Sequence, residues 1–182
     1  MRVIAGKYRA KKLKEFEISS TRPTLDRVKE AIFSSIQFDC LGARVLDLFS
    51  GTGALGIEAI SRGATETHFV DKDMRAIKLI KENTRGMVEE FKIFNEDYQT
   101  FLLKAKDKYD IILLDPPFAS NYGENAINII LSRNLLSDNG VIVYEKSKEK
   151  PFVLTSDDYL VKEKVYGNVE VVLIRKNKWI IK

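Results

Sequence analysis

Two short stretches bring together residue types that could do chemistry. In VLDLFSGTGALGIEA (45–59) an apolar run carries Asp47 into Gly51-Thr52-Gly53, with Gly56 one helical turn on, so that the spacing G-x-G-x-x-G is met. In IILLDPPFAS (111–120) four apolar residues end on Asp115, followed by Pro116, Pro117 and Phe118. The first pattern fits a strand, a tight glycine turn and a helix that approach an adenosine-containing cofactor. Asp71, twenty residues past Gly51, is placed to accept hydrogen bonds from ribose hydroxyls. The second pattern fits an acceptor pair for an amine: Asp115 takes one N–H, and the stiff Pro-Pro turn aims the Pro116 carbonyl at the other.

Two cofactor classes satisfy the glycine pattern, a nicotinamide or flavin dinucleotide and S-adenosyl-L-methionine. Asp47 separates them by charge. A carboxylate just before the loop repels a pyrophosphate at the helix N-terminus and attracts the ammonium and sulfonium of a methionine moiety. Asp97, after the third strand, is suited to accept from an adenine amine, with the Tyr98 amide meeting a ring nitrogen, and equally suited to cap a helix. Phe49 beside the loop and Lys72 beside Asp71 complete the candidate cofactor set.

With a methyl donor in place, Asp115-Pro116-Pro117-Phe118 points to transfer onto a planar, weakly nucleophilic amine. Two acceptors orient the nitrogen lone pair, and Phe118 offers a face for stacking a base. The methylated amine is acidic and needs no strong base. The single histidine, His68, lies within an expected strand and is read as structural. One cysteine and one histidine do not make a zinc site.

These residues need a frame. RVLDLF (44–49), THFVD (67–71), FKIFN (91–95), YDIILLD (109–115) and GVIVYE (140–145) are short apolar runs separated by helical segments, the pattern of a parallel sheet covered on both faces. Around Gly167-Asn168 the period changes to two, which predicts an antiparallel hairpin at the sheet's edge. The expected fold is α/β, a Rossmann-like, seven-stranded, mostly parallel sheet. Upstream, Leu25, Val28, Ile32 and Ile36 share one helical face, so a helix docks the N-terminal segment on the body.

At 182 residues and 45% hydrophobic content the chain suits one domain, 1–182, with residues 1–40 as a basic hairpin and docking helix and 41–182 as the catalytic core. No apolar run is long enough for a signal peptide or a membrane helix, and Cys40 has no internal partner, so a soluble cytoplasmic protein is expected. Residues 1–29 hold nine basic and three acidic side chains, against 21 and 23 in the remainder. That concentration suits a polyanion partner, or simply a solvated basic hairpin.

RVLDLFSGTGALGIEA together with LLDPPF resembles the amino-group methyltransferases of class I fold. With MRVIAGKYRAKKL and RPTLDRVKEAIF, in this order, the chain resembles the RsmD family of ribosomal RNA guanine-N2 methyltransferases, from Met1 to the VYGNVEVVLIRK ending. The resemblance implies S-adenosyl-L-methionine as cofactor, with Asp47, Gly51, Gly53, Asp71 and Asp97 at cofactor positions and Asp115 to Phe118 as the catalytic motif. It places Arg22, Thr24 and Arg27 near the substrate entrance. It gives Lys7, Arg9, Lys11, Lys12 and Lys14 the task of contacting phosphates, and implies a monomer acting on 16S rRNA within a small ribosomal subunit particle, without metal or membrane. Ala10 stands where glycine is common and Asp71 where glutamate is frequent. Other readings remain: methylation of adenine or of a glutamine side chain, a non-catalytic RNA-binding module, and a nicotinamide oxidoreductase. Trp179 and Ile180 of the basic C-terminal tail are expected to pack on the body.

Overall fold

The structure is a computed structural model that describes residues 1–16 and 22–178, with side chains resumed from Asp26. In chain order the elements are α1 (Arg22–Ser35), β1 (Arg44–Asp47), α2 (Ala54–Ser61), β2 (Glu66–Asp71), α3 (Met74–Asn83), β3 (Glu90–Asn95), α4 (Tyr98–Lys104), β4 (Tyr109–Leu114), α5 (Tyr122–Ser132), β5 (Leu136–Ser147), β6 (Tyr159–Tyr166) and β7 (Val169–Lys176). Seven strands form one sheet in the order β3-β2-β1-β4-β5-β7-β6. The first five run parallel, and β7 is antiparallel to both β5 and β6.

Both faces of the central strands are buried, which is why their sequences read as continuous apolar runs. Val45, Ile111, Leu113 and Val143 pack against Val28, Ile32 and Phe33 of α1. Leu46, Ile112, Leu114 and Tyr144 point the other way and pack against Leu102 of α4 and Ile127 and Ile130 of α5. The chain therefore leaves β1 towards one face and β4 towards the other. A crevice opens at the carboxyl ends of these two neighbours, where such sheets bind ligands.

Two expectations need correction. The fifth strand begins at Leu136, not Gly140: Leu136 is buried and pairs with Tyr109, and a register shift follows before Ile111 pairs with Val141. A Cβ on Gly140 would lie 2.7 Å from Leu136 Cδ1, so glycine lets this irregular stretch close. The first strand ends at Asp47, not Phe49, because Ser50 turns the chain, its hydroxyl accepting from the Val70 amide at 2.9 Å and donating to the Asp47 carbonyl at 2.6 Å. The expected hairpin forms around Gly167, whose φ is 63°.

The N-terminal segment folds back on itself through an Arg2–Lys12 bridge and buries Val3 and Leu13 against Ile57 and Ile60 of α2. Its anchor is Glu58, whose buried carboxylate accepts from the amides of Ile4 (2.8 Å) and Ala5 (3.1 Å) and from Arg62 Nε (2.7 Å). Within the turn Ala10 has φ 68°, a left-handed conformation that crowds a Cβ. Ala10→Gly is expected to raise stability by about 0.5–1 kcal/mol, read as a small upward shift in thermal midpoint; a fall would mean that the turn tolerates the alanine without strain.

No helix among the described residues is long and apolar enough to cross a membrane. No group of three or more His, Cys, Asp or Glu among them could hold a metal ion.

Candidate active site

The turn after β1 is shaped by its glycines and clamped by two aspartates. Gly51 (φ 53°) donates its amide to Asp71 Oδ2 at 2.9 Å, while Asp71 Oδ1 accepts from the Asp73 amide at 2.8 Å. One carboxylate thus ties together the loops after β1 and β2. Its oxygens retain lone pairs beyond those two bonds. Gly56 donates its amide to Asp47 Oδ2 at 2.9 Å, and a Cβ there would lie 2.4 Å from Phe69 and 3.0 Å from that oxygen. Gly53 faces Ile57, Phe69 and Ile80, so its part is conformational and packing.

A cavity of about 450 Å³ opens beside this turn, within the range that holds small-molecule ligands. It gathers Phe49, Gly51, Asp71, Lys72, Asp97, Tyr98, Asp115, Pro116, Pro117 and Phe118, ten of the residues singled out from sequence. Leu48, Glu96 and Tyr122 join them unforeseen. Tyr122 matters most of the three: its ring lies parallel to Phe49 within 10° at 6.5 Å, packs on Tyr98 at 5.3 Å, and has Lys72 Nζ at 5.5 Å from its centroid. The only trace of it in the sequence is an aromatic residue at the start of the helix after the two prolines.

Asp47 and Gly53 do not line this cavity. Asp47 is almost fully buried behind the glycine turn, and burial pushes its carboxyl up to about 7, against the pull of the Gly56 N–H and with the nearby Asp115 and Asp71 charges adding to the rise. Asp97 caps α4, its Oδ1 accepting from the Gln99 amide at 2.9 Å, and the residue also lines the cavity. Asp115 faces the open cleft and makes no hydrogen bond or ion pair among the described residues. The protein mass around the cleft still depletes water there and pushes its carboxyl up to about 6.

These contacts decide between the cofactor classes. A pyrophosphate needs free amides at the turn and helix start, but carboxylates already occupy those of Gly51 and Gly56. What remains is an aromatic-walled slot rimmed by Asp71 and Asp97, which suits a cationic, adenosine-bearing ligand. The residues present fit S-adenosylmethionine.

Asp115, Phe49 and Gly51 also line a second cavity of about 280 Å³, whose wall includes Lys29 of α1 and Glu145 of β5. Glu145 was not foreseen. It ends the run GVIVYE, and its side chain is buried beside Asp115 only because β4 and β5 are neighbours in parallel register.

The basic hairpin is only partly free for an external partner. Lys7 pairs with Glu89 at 2.6 Å, Lys11 reaches the Arg85 carbonyl at 3.0 Å, and Lys14 pairs with Glu82 at 2.9 Å. Arg9, Lys12 and Arg27 are exposed and have no such contact among the described residues; Arg9, Arg27 and Arg2 share a groove. The side chains of Arg22 and Thr24, and residues Trp179 and Ile180, lie outside the described residues. His68 is buried between Tyr109 (2.8 Å) and Glu66 (2.8 Å) within the sheet, away from both cavities.

A family model described as conserved hypothetical protein 95 matches residues 1–175. The chain is 34% identical over 174 residues to the ribosomal RNA small subunit methyltransferase D of Haemophilus influenzae, covering 93% of this chain and 90% of that protein. The structure of a hypothetical protein of Thermus thermophilus matches with a TM-score of 0.81 at 29% identity, covering 96% of this chain and 99% of that one. The SAH-bound methyltransferase PaMTH1 of Podospora anserina shares the fold, with a TM-score of 0.68 at 14% identity over 88% of this chain and 80% of that one.

Proposed function

Because the chain belongs to the RsmD family of small-subunit ribosomal RNA methyltransferases, we propose that it methylates the exocyclic 2-amino group of a guanine in 16S rRNA, presented within a small-subunit particle. S-adenosylmethionine, when bound, supplies an electrophilic methyl group. The observation that carries the reading is Asp115: an unpartnered carboxylate on the wall common to both cavities, at the carboxyl end of a central strand.

Asp115 accepts one N–H of the amine and the Pro116 carbonyl the other, which turns the nitrogen lone pair towards the larger cavity. Both acceptors favour the positive charge that develops on nitrogen as the new bond forms. Phe118, 41% exposed at the cavity's rim, offers its face to the base. Once methylated, the amine sheds a proton to Asp115, whose raised carboxyl passes it to water. A base held in an RNA loop must leave its stack to arrive here, at a cost of about a few kcal/mol. Phosphate contacts from Arg9, Lys12 and Arg27 offset that cost.

The test is transfer of labelled methyl from S-adenosylmethionine to small-subunit particles and to naked 16S rRNA from a strain lacking this protein, followed by nucleoside analysis. N2-methylguanosine is expected. Label confined to methyladenosine, or to protein, overturns the reading.

A further inference from the structure

We propose that Glu145 reads the base, accepting the ring N1–H of guanine while Asp115 holds the neighbouring amine. This rests on the guanine reading above and names the residue that would enforce it.

The geometry follows from strand register. Leu114 of β4 pairs with Tyr144 of β5, so Asp115 and Glu145 occupy the next position on adjacent parallel strands, spaced about 5 Å apart. Leu113 and Val143 share the α1-facing side of the sheet, and the alternation of side chains brings Asp115 and Glu145 to that side two residues later. There they line the smaller cavity together. Glu145 is 6% exposed and makes no hydrogen bond or ion pair among the described residues. Its carboxylate faces this cavity, where a ligand donor can complete it. No metal fits that part, since no cluster of acidic, histidine or cysteine side chains among the described residues has the arrangement to hold one. Lys29, 3% exposed, lines the same cavity and brings a positive charge. Its ammonium donates to the Arg2 carbonyl at 2.6 Å and lies 3.6 Å from the Glu58 carboxylate, which leaves the third of its protons for a ligand.

Two acceptors and a donor match one base edge. The Watson–Crick edge of guanine offers the amine and N1–H as donors and O6 as acceptor. Adenine offers an amine and an N1 lone pair, which would face a carboxylate. Burial and the nearby Asp115 and Asp47 charges push the Glu145 carboxyl upwards; a guanine N1–H gives its charged form the hydrogen bond it lacks.

The discriminating substrate is 2-aminopurine at the target position, which keeps the methyl-accepting amine, replaces N1–H with a lone pair and carries hydrogen in place of O6, so that the change in the gap on altering Glu145 isolates the N1 contact. Wild-type protein is expected to methylate it about 100-fold or more less efficiently than guanine, because the analogue leaves a buried acceptor unpaired. Glu145→Gln, whose amide can either accept or donate, is expected to lose activity on guanine and to narrow the gap to less than about tenfold. Equilibrium binding of S-adenosylmethionine, unchanged in the variant, shows that the fold is intact. Equal wild-type rates on both bases, or a variant that loses activity on both in parallel, overturns the assignment. If the wild type methylates no guanine in any 16S substrate, the guanine reading itself has failed, and that outcome is distinct because it appears before any variant is made.

Discussion

Asp115→Ala is expected to lower kcat by about 10³-fold, the scale seen when a preorganised polar group facing developing charge is removed, while S-adenosylmethionine binds within about twofold of wild type. The variant also removes one of three neighbouring carboxylates, so repulsion on Asp47 and Glu145 is relieved and the thermal midpoint holds or rises. A loss of turnover without a loss of stability separates catalysis from folding. Parallel collapse of turnover and cofactor affinity would instead make Asp115 a cofactor ligand. The pH profile gives a second reading of the same group. Asp115 favours the positive charge developing on nitrogen only when ionised, and partial burial in the cleft pushes its carboxyl above the ordinary carboxylate range. Hence kcat/KM of the wild type falls on the acid side of neutrality, at a pH above the ordinary carboxylate range, approaching tenfold per unit at the acid end. Asp115→Asn, which cannot titrate, flattens that limb; an unaltered limb would assign the titration to another group.

Glu58→Ala is expected to destabilise the protein by about 3–5 kcal/mol, the scale for breaking a buried charge cluster from one side. The carboxylate is fully buried on α2, accepts from the Ile4 and Ala5 amides and Arg62, and lies 3.6 Å from the buried Lys29 ammonium. Deleting it strands two amides and two cations at once. For a chain of this length the thermal midpoint should drop by about 10 °C. Hydrogen exchange at Ile4 and Ala5 should rise before that of the sheet, since the lost bonds hold the N-terminal segment and not the strands. Glu58→Gln keeps an acceptor for the amides and is expected to lose less. A midpoint within about 2 °C of wild type for Glu58→Ala would mean that the hairpin is held by Val3 and Leu13 alone. Met1, Glu15 and Phe16 of that segment also wall the smaller cavity, so the same variant should weaken RNA methylation more than cofactor binding.

How much was legible in the sequence differs from residue to residue. Asp115 and its prolines could be read because a polar residue closing a continuous apolar run marks the carboxyl end of a buried strand, and the glycine pattern marks another. Lys7 shows the opposite. Its charge was visible, but its pairing with Glu89, 82 positions along the chain, was not, and that contact takes it from the set of free cations. The sequence places Asp47 at the cofactor loop, four positions before Gly51. Its place behind the turn depends on how closely α2 approaches, which Gly56 permits and no local pattern measures.

From sequence alone came the class of fold, the crevice at two strand ends and the chemistry of an amine acceptor, because apolar periodicity, turn residues and the charge of a single aspartate act over a few neighbouring positions. Tertiary structure alone brought Glu145 and Lys29 to the far side of Asp115 and Glu58 beneath the hairpin. Glu145 and Glu58 are charged residues inside apolar segments and Lys29 lies on a helix of mixed polarity, and only the pairing of β4 with β5 and the packing of α1 and α2 on the sheet determine what each one meets.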